Sequence, residues 1–316
     1  MVFEVLTSAP ILFFLLGVFS KAIKSDLEIA HPLPKFFSLY VLSAIGIQGG
    51  VHLVRSPLEK GYVTVFLVAI IGSFVAASLA YYVFRRSTKE SNAIALAASY
   101  GSISAVTFIT GAALLDKLGI PYGPYMIAVL ALMESPAILA ALFFYSRHRE
   151  DTSTSLIPTL CHAVTNHSVM LLLGSFFIGM ALSEESWNKI FPFYESLFQG
   201  MLTFFLLDLG LAVAKRFEDV KKAPLTLFIS AVAFQVSMAF LAFFISKICS
   251  FTPGDTFLLM LLFGSASYIA APAAMRTTVP EASPSLYLSL AMGVTFPINI
   301  LIGIPFYLWV VQHYGV

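Results

Sequence analysis

Charge is scarce in this chain. Eighteen Lys and Arg and seventeen Asp and Glu occur in 316 residues, 11% in all, against roughly 25% in an average soluble domain. The two signs nearly cancel, to a net charge of +1, so no global basic field points to a nucleic-acid partner. Cysteine is rarer still. Cys161 and Cys249 both sit in or beside apolar stretches without metal-ligand spacing, which reads as two buried thiols and excludes a cysteine metal site. Long polar stretches are missing too. The longest is about "SRHREDTSTS", too short for a separate soluble domain. The amino-terminal stretch has no basic n-region, since Glu4 is its only charge, and no small-x-small cleavage site follows. It reads as a first membrane segment that is retained. No nucleophile–base pair, metal cluster or phosphate loop is evident, so no enzyme is expected and no cofactor is implied.

What is present is apolar surface. Hydrophobic residues make up 59% of the chain and mean hydropathy is +0.89, more than a soluble fold can hide. The class is therefore an all-α polytopic membrane protein. With about 20 apolar residues needed per crossing, ten candidate spans lie near 8–23, 36–54, 62–84, 93–115, 123–146, 166–183, 191–214, 223–249, 256–275 and 284–312. Thirteen of the eighteen Lys and Arg fall in the loops 1–2, 3–4, 5–6, 7–8 and 9–10. These include Lys21, Lys24, Arg85, Arg86, Lys89, Arg147, Arg149, Lys215, Arg216, Lys221 and Lys222. By the positive-inside rule these loops face the cytoplasm and both termini lie outside, in a cell inner membrane by default.

The chain also repeats itself. "YGSISAVTFITGA" at 100–112 is echoed by "FGSASYIAAPAAM" at 263–275. About thirty residues after each comes a second matched pair, Met133-Glu134-Ser135-Pro136 and Val294-Thr295-Phe296-Pro297. "LLGVFSKAI" at 15–23 echoes "LLGSFFIGM" at 172–180, and "IGIQGGVHLVRSPLEK" at 45–60 echoes "LDLGLAVAKRFEDVKK" at 207–222. The features keep their order, so the chain reads as two halves, 1–150 and 165–316, with a linker at 151–164. Five spans per half is an odd number, so the second half enters from the opposite side. Inverted repeats of this kind belong to secondary transporters, with the site near the midplane where the halves meet.

The Gly-Ser-x-Ser motifs predict broken helices in segments 4 and 9. A backbone break at membrane depth is tolerated only inside protein or beside a cavity. Gly101 and Gly264 permit it; Ser102, Ser104, Ser265 and Ser267 can cap the new helix ends. Two half-helix N-termini aimed at one point suit a small monovalent anion. Pro272, which lacks an N–H, strengthens the expectation in the second half. The bland alternative is close helix packing by small residues. Glu134 is the other anomaly. A carboxylate in mid-membrane costs on the order of 3 kcal/mol and needs a cavity and a partner. No basic residue is available at its depth, which points to Na+ or a proton; a protonated structural Glu is the dull reading. Segment 10 offers Thr295 and Asn299 as neutral oxygen ligands. Asp208 reads as an interface residue, and Gln48, Gln199 and Gln235 as interhelical hydrogen-bonders. His162, Asn166 and His167 read as residues wetted near the surface.

These stretches resemble the sodium-dependent bicarbonate transporter family, the SbtA-type permeases. The resemblance covers nearly the whole chain. It is carried by "LSAIGIQGG", "YGSISAVTFITGAALLDKLGIPY", "LMESPAILAALF" and "FFLLDLGLAVAKRFEDV", and most specifically by "LFGSASYIAAPAAMRTTVPEASPSLYLSLAMGVTFPINILIGIPFY". It implies a five-plus-five inverted repeat, a homotrimer, a gate domain, a mobile core domain and Na+-coupled uptake of bicarbonate. Residue by residue, it implies substrate and Na+ contacts at Ser102, Ser104 and Thr107 and again at Ser265 and Ser267. Glu134 stands where the relatives have an aspartate. Tyr268 replaces an acidic residue and Val106 a serine, both within the site. The expectation is a symporter of Na+ and a small monovalent anion. Substrate contacts are expected at Gly101, Ser102, Ser104, Gly264, Ser265, Ser267 and Tyr268. Sodium contacts are expected at Ser104, Thr107, Glu134, Thr295 and Asn299. The rivals are a Na+- or H+-coupled transporter of another small carboxylate and a non-transporting membrane sensor with the same fold.

Overall fold

The computed structural model describes residues 7–55, 62–148 and 167–315. The expected linker at 151–164, with Cys161, His162, Asn166, Lys60 and Arg149, lies outside the described residues, as do the side chains of Ser135, His167, Lys221 and Lys222.

The described residues form helices: α1 (Ala9–Ala22), α2 (Leu33–Arg55), α3 (Tyr62–Phe84), α4 (Glu90–Gly101), α5 (Ala105–Leu118), α6 (Met126–Leu132) and α7 (Glu134–His148). There follow α8 (His167–Ala181), α9 (Glu184–Phe191), α10 (Phe198–Lys222), α11 (Leu225–Ile248), α12 (Pro253–Phe263), α13 (Ala270–Thr278) and α14 (Pro284–Tyr314). Among the described residues, seven helical stretches are long and apolar enough to cross a membrane, and α1, α8 and α12 are shorter apolar helices. α14 is one rod with two wide turns, at Ala291–Thr295 and Asn299–Gly303. Each precedes or contains the carbonyl that Pro297 or Pro305 leaves without its N–H partner.

Burial sorts the helices. α4 and α5 are interior on all sides, 94% of their apolar window being buried, whereas α3 and α11 are 33% and 39% buried. The alanine-rich run Ala93–Ala98 lets neighbours close in on every face of α4. α3 and α11 keep leucine, isoleucine and phenylalanine outward, Leu67, Ile71, Ile229 and Phe244 among them.

The helices form two groups. In one, α1 runs along α10 and α8 runs along α2, the two most extensive helix pairs in the molecule. Each crossing is made through glycine. A Cβ on Gly17 would strike the carbonyl of Leu207 and lie 2.8 Å from Leu211 N; one on Gly210 would strike the carbonyl of Phe14. In the other pair, a Cβ on Gly50 would strike the carbonyl of Phe176 and lie 2.7 Å from Met180 N; one on Gly179 would strike the carbonyl of Ile47. Phe14 and Gly17 thus meet Leu207 and Gly210 as Phe176 and Gly179 meet Ile47 and Gly50. By contact, Gly17 and Gly179 play like parts in the two pairs. The echo in the sequence matched Gly17 with Gly174, which faces open space.

The other group holds α3 to α7 and α11 to α14. Here too segments distant in sequence grip one another. Asp255, in the first turn of α12, accepts from Gly123 N–H at 2.7 Å and Tyr125 O–H at 2.6 Å, pinning the chain between α5 and α6. Asn92, in the first turn of α4, accepts from Ser283 N–H at 2.7 Å, pinning the chain ahead of α14. Both residues are backed by a threonine, Thr252 and Thr88. Asp255→Ala removes the carboxylate that two buried donors meet. Bonds of that kind contribute about 2 kcal/mol each, so the variant should melt well below Asn92→Ala, which loses one neutral acceptor. Thermal unfolding of the detergent-solubilised variants checks the order.

Candidate functional site

Both expected breaks occur. α4 stops at Gly101, residues 102–104 run extended, and α5 starts at Ala105. α12 stops at Phe263, the chain leaves helical geometry, and α13 starts at Ala270, with Pro272 in its first turn. The breaks fall near the middle of residues 90–118 and of residues 253–278. They cross and bond to one another. Ser104 N–H donates to Ser265 Oγ at 2.9 Å, and Ser267 N–H donates to the Ser99 carbonyl at 2.7 Å. Polar backbone freed from one helix is thus satisfied by the other, as apolar surroundings demand.

The serines cap as their type predicts. Ser104 Oγ accepts from Thr107 N–H at 3.2 Å and from Thr107 O–H at 2.9 Å. Ser267 Oγ accepts from Ala271 N–H at 3.2 Å. The carbonyls at the ends of the first half-helices are also met. Gly101 O and Met133 O converge on Ser73 Oγ, at 2.9 and 2.7 Å. Gly264 O accepts from Asn299 Nδ2 at 2.8 Å, and Asn299 Oδ1 accepts in turn from Gln235 Nε2 at 2.8 Å.

At the crossing lies a cavity of about 30 Å³, room for on the order of two waters. One wall holds Ile103, Ser104, Ala105, Val106, Ile109, Glu134, Ser267, Tyr268 and Ile269; the other holds Ser38 and Leu42 of α2 and Phe205 of α10. The cavity therefore sits between the two helix groups, and most of its polar side chains come from one of them. Glu134 is 8% exposed, and among the described residues its carboxylate has no hydrogen-bond or ion-pair partner. Tyr268 is equally buried. Its hydroxyl lies beside Ser104 without a hydrogen bond of ordinary geometry, and its ring is held edge-on by Phe296 at 5.4 Å.

Of the residues expected at the site, Ser104, Ser267, Tyr268 and Glu134 meet at this cavity. The others do not line it. Ser265 is a brace, accepting from Ser104 N–H and donating to Leu262 O. Ser102 Oγ is buried without a partner. Gly101 and Gly264 allow close approach, to Ala77 and Ala239. Thr107 lies beneath Ser104, with its N–H and O–H spent on it. Thr295 Oγ1 is bonded to Tyr100 Oη at 2.7 Å. The Asn299 amide is committed on both atoms. These bonds help hold the breaks in shape, and they leave lone pairs on Thr107 Oγ1 and Asn299 Oδ1. Sequence reasoning missed Ser38, Leu42 and Phe205, which sit in ordinary apolar helices with no local signal.

A wider cavity of about 470 Å³ lies one layer away. It is lined by Gln48, His52, Asp116, Tyr122 and Glu195, among others. Phe108 and Ile45 line this vestibule, while Ile109 and Leu42 line the small cavity.

Apolar helices long enough to cross a membrane, around a small cavity with a few polar side chains at two broken helices, fit a membrane transport protein. The chain belongs to the Na+-dependent bicarbonate transporter superfamily, whose family model matches residues 9–312. No curated protein matches it.

Proposed function

We propose that this protein is a secondary active transporter that symports Na+ with a small monovalent anion, bicarbonate, across a cytoplasmic membrane. The observation that carries the reading is Glu134, a buried carboxylate on the wall of a small cavity with no partner among the described residues. A lone ionised carboxylate in such a place is costly, and Na+ relieves it. The anion would lie against Ser104, Ser267, Tyr268 and the uncapped N–H groups at the start of α5. A cavity with room for about two waters must open somewhat to take Na+ and bicarbonate together, and it disfavours larger carboxylates still more.

Glu134 also supplies the coupling. An anion roughly 5 Å from an ionised carboxylate is repelled by about 3 kcal/mol at an effective dielectric constant of about 20, a factor of roughly a hundred in affinity. Na+ on Glu134 cancels that repulsion, so each ion raises the affinity for the other by the same factor. Titrating Na+ at zero and at saturating bicarbonate should move the apparent Na+ affinity at least tenfold; equal affinities would sink the coupling.

Reciprocal glycine crossings, reciprocal clamps at Asp255 and Asn92, and mutually bonded breaks support ten spans in two inverted halves, 1–150 and 165–316; the Lys and Arg bias of the loops supports both termini outside. The confinement of Glu134, Ser104, Ser267 and Tyr268 to one helix group favours a sliding movement of that group past α1, α2, α8 and α10, which supply Ser38, Leu42 and Phe205. A homotrimer would anchor the latter. The test is uptake of ¹⁴C-bicarbonate into proteoliposomes under an inward Na+ gradient, with K+ as control. Na+-driven accumulation that is lost in Ser104→Ala and Ser267→Ala supports the reading; no accumulation by the native protein removes it.

A further inference from the structure

We propose that the site selects its anion by a proton the anion carries: Glu134 accepts a hydrogen bond from the O–H of a protonated oxyanion, while Ser104, Ser267 and Tyr268 donate to its other oxygens. This rests on the reading of the small cavity as the anion site and adds a donor–acceptor rule to it.

The rule follows from counting protons at the cavity wall. A hydroxyl has one hydrogen and two lone pairs. Ser104 Oγ already accepts two hydrogen bonds, both from Thr107, so what it retains is its own hydrogen. Ser267 Oγ accepts from Ala271 N–H and donates to no protein group among the described residues. Tyr268 Oη is buried and, among the described residues, makes no hydrogen bond of ordinary geometry. With Ser104 and Tyr268 side by side, a bond from one to the other still leaves one hydrogen over. The wall thus presents a surplus of O–H donors. Facing them is the Glu134 carboxylate, unpartnered among the described residues; in the ionised form that Na+ binding requires, it can only accept.

A ligand that satisfies both sides must offer acceptors to the hydroxyls and one donor to the carboxylate. A carboxylate has two oxygens, so Na+ on one leaves the other for the ligand's O–H. Bicarbonate has this pattern, as does any small oxyanion keeping one hydroxyl. Nitrate has the same planar three-oxygen shape and the same charge but no hydrogen. Placed here it turns an oxygen toward Glu134 and leaves the carboxylate unsatisfied. A buried charged acceptor denied its partner costs roughly one to two powers of ten in affinity.

The experiment is ¹⁴C-bicarbonate uptake by the full-length protein in proteoliposomes at saturating Na+, competed by unlabelled bicarbonate, nitrate or formate. Nitrate and formate are expected to compete at least tenfold more weakly than bicarbonate. A second measurement uses ligand-induced thermal stabilisation of purified variants. Glu134→Gln supplies an amide donor and should bring nitrate level with bicarbonate or ahead of it, whereas Glu134→Asp should keep the native order. Uptake that nitrate blocks as well as bicarbonate does overturns this proposal and leaves the transport reading standing. Absence of uptake by the native protein overturns the transport reading and this proposal with it.

Discussion

Glu134→Gln is expected to take up bicarbonate no faster in Na+ than in K+. The substitution keeps size and shape but removes the one negative charge on the cavity wall. Without it, Na+ loses the charge that offsets its desolvation, and the coupling between ion and anion disappears with it. Na+-stimulated uptake should fall at least a hundredfold, the factor set by the electrostatic argument above. Stability should move the other way or not at all. A buried carboxylate without a partner is a cost to the fold, so its neutral isostere should melt no lower than the native protein in Na+-free detergent. That pairing separates this role from a protonated structural Glu, for which the glutamine variant would be close to silent in transport. Unchanged Na+ stimulation would remove Glu134 from the ion site.

Gly50→Val and Gly210→Val should each abolish folded protein, and to a similar degree. At both positions a Cβ meets the backbone of the neighbouring helix, the carbonyls of Phe176 and of Phe14. Overpacking a core typically costs 1–3 kcal/mol when side chains can yield. Backbone carbonyls cannot yield without separating the two most extensive helix pairs of the fold, so the cost should reach about 3 kcal/mol or more. Gly174→Val is the control. It lies in α8, in the same helix as Gly179, and a Cβ there meets nothing within 4 Å. Its yield of monodisperse protein on size exclusion should match the native protein. Survival of one of the two crossing variants alone would break the reciprocity on which the inverted-repeat reading leans.

Much of this was legible in the sequence. Scarce charge and abundant apolar surface determined the solvent, and apolar run lengths determined where helices lie, because a bilayer leaves the backbone few other choices. Gly-Ser-x-Ser and Pro272 marked both breaks, since glycine ends, serine caps and a missing N–H are local effects acting within a few residues. Glu134 announced itself by its cost in such a setting.

What the sequence could not show is how oxygens are shared between distant segments. Thr107, Thr295 and Asn299 are expected ligands by residue type, and the bonds they make are invisible in the sequence. Only the fold turns Thr107 under Ser104, joins Thr295 to Tyr100 and ties Asn299 between Gln235 and Gly264. The pairing of glycine contacts is of the same kind. Gly17 is matched with Gly179 by which glycine touches a neighbouring backbone, and a text echo cannot tell that glycine from Gly174, which touches none. Ser38, Leu42 and Phe205 become the far wall of the cavity only when α2 and α10 come to rest against the crossing. Local chemistry determined which groups had hydrogen bonds to give; tertiary packing decided which of them were already spent.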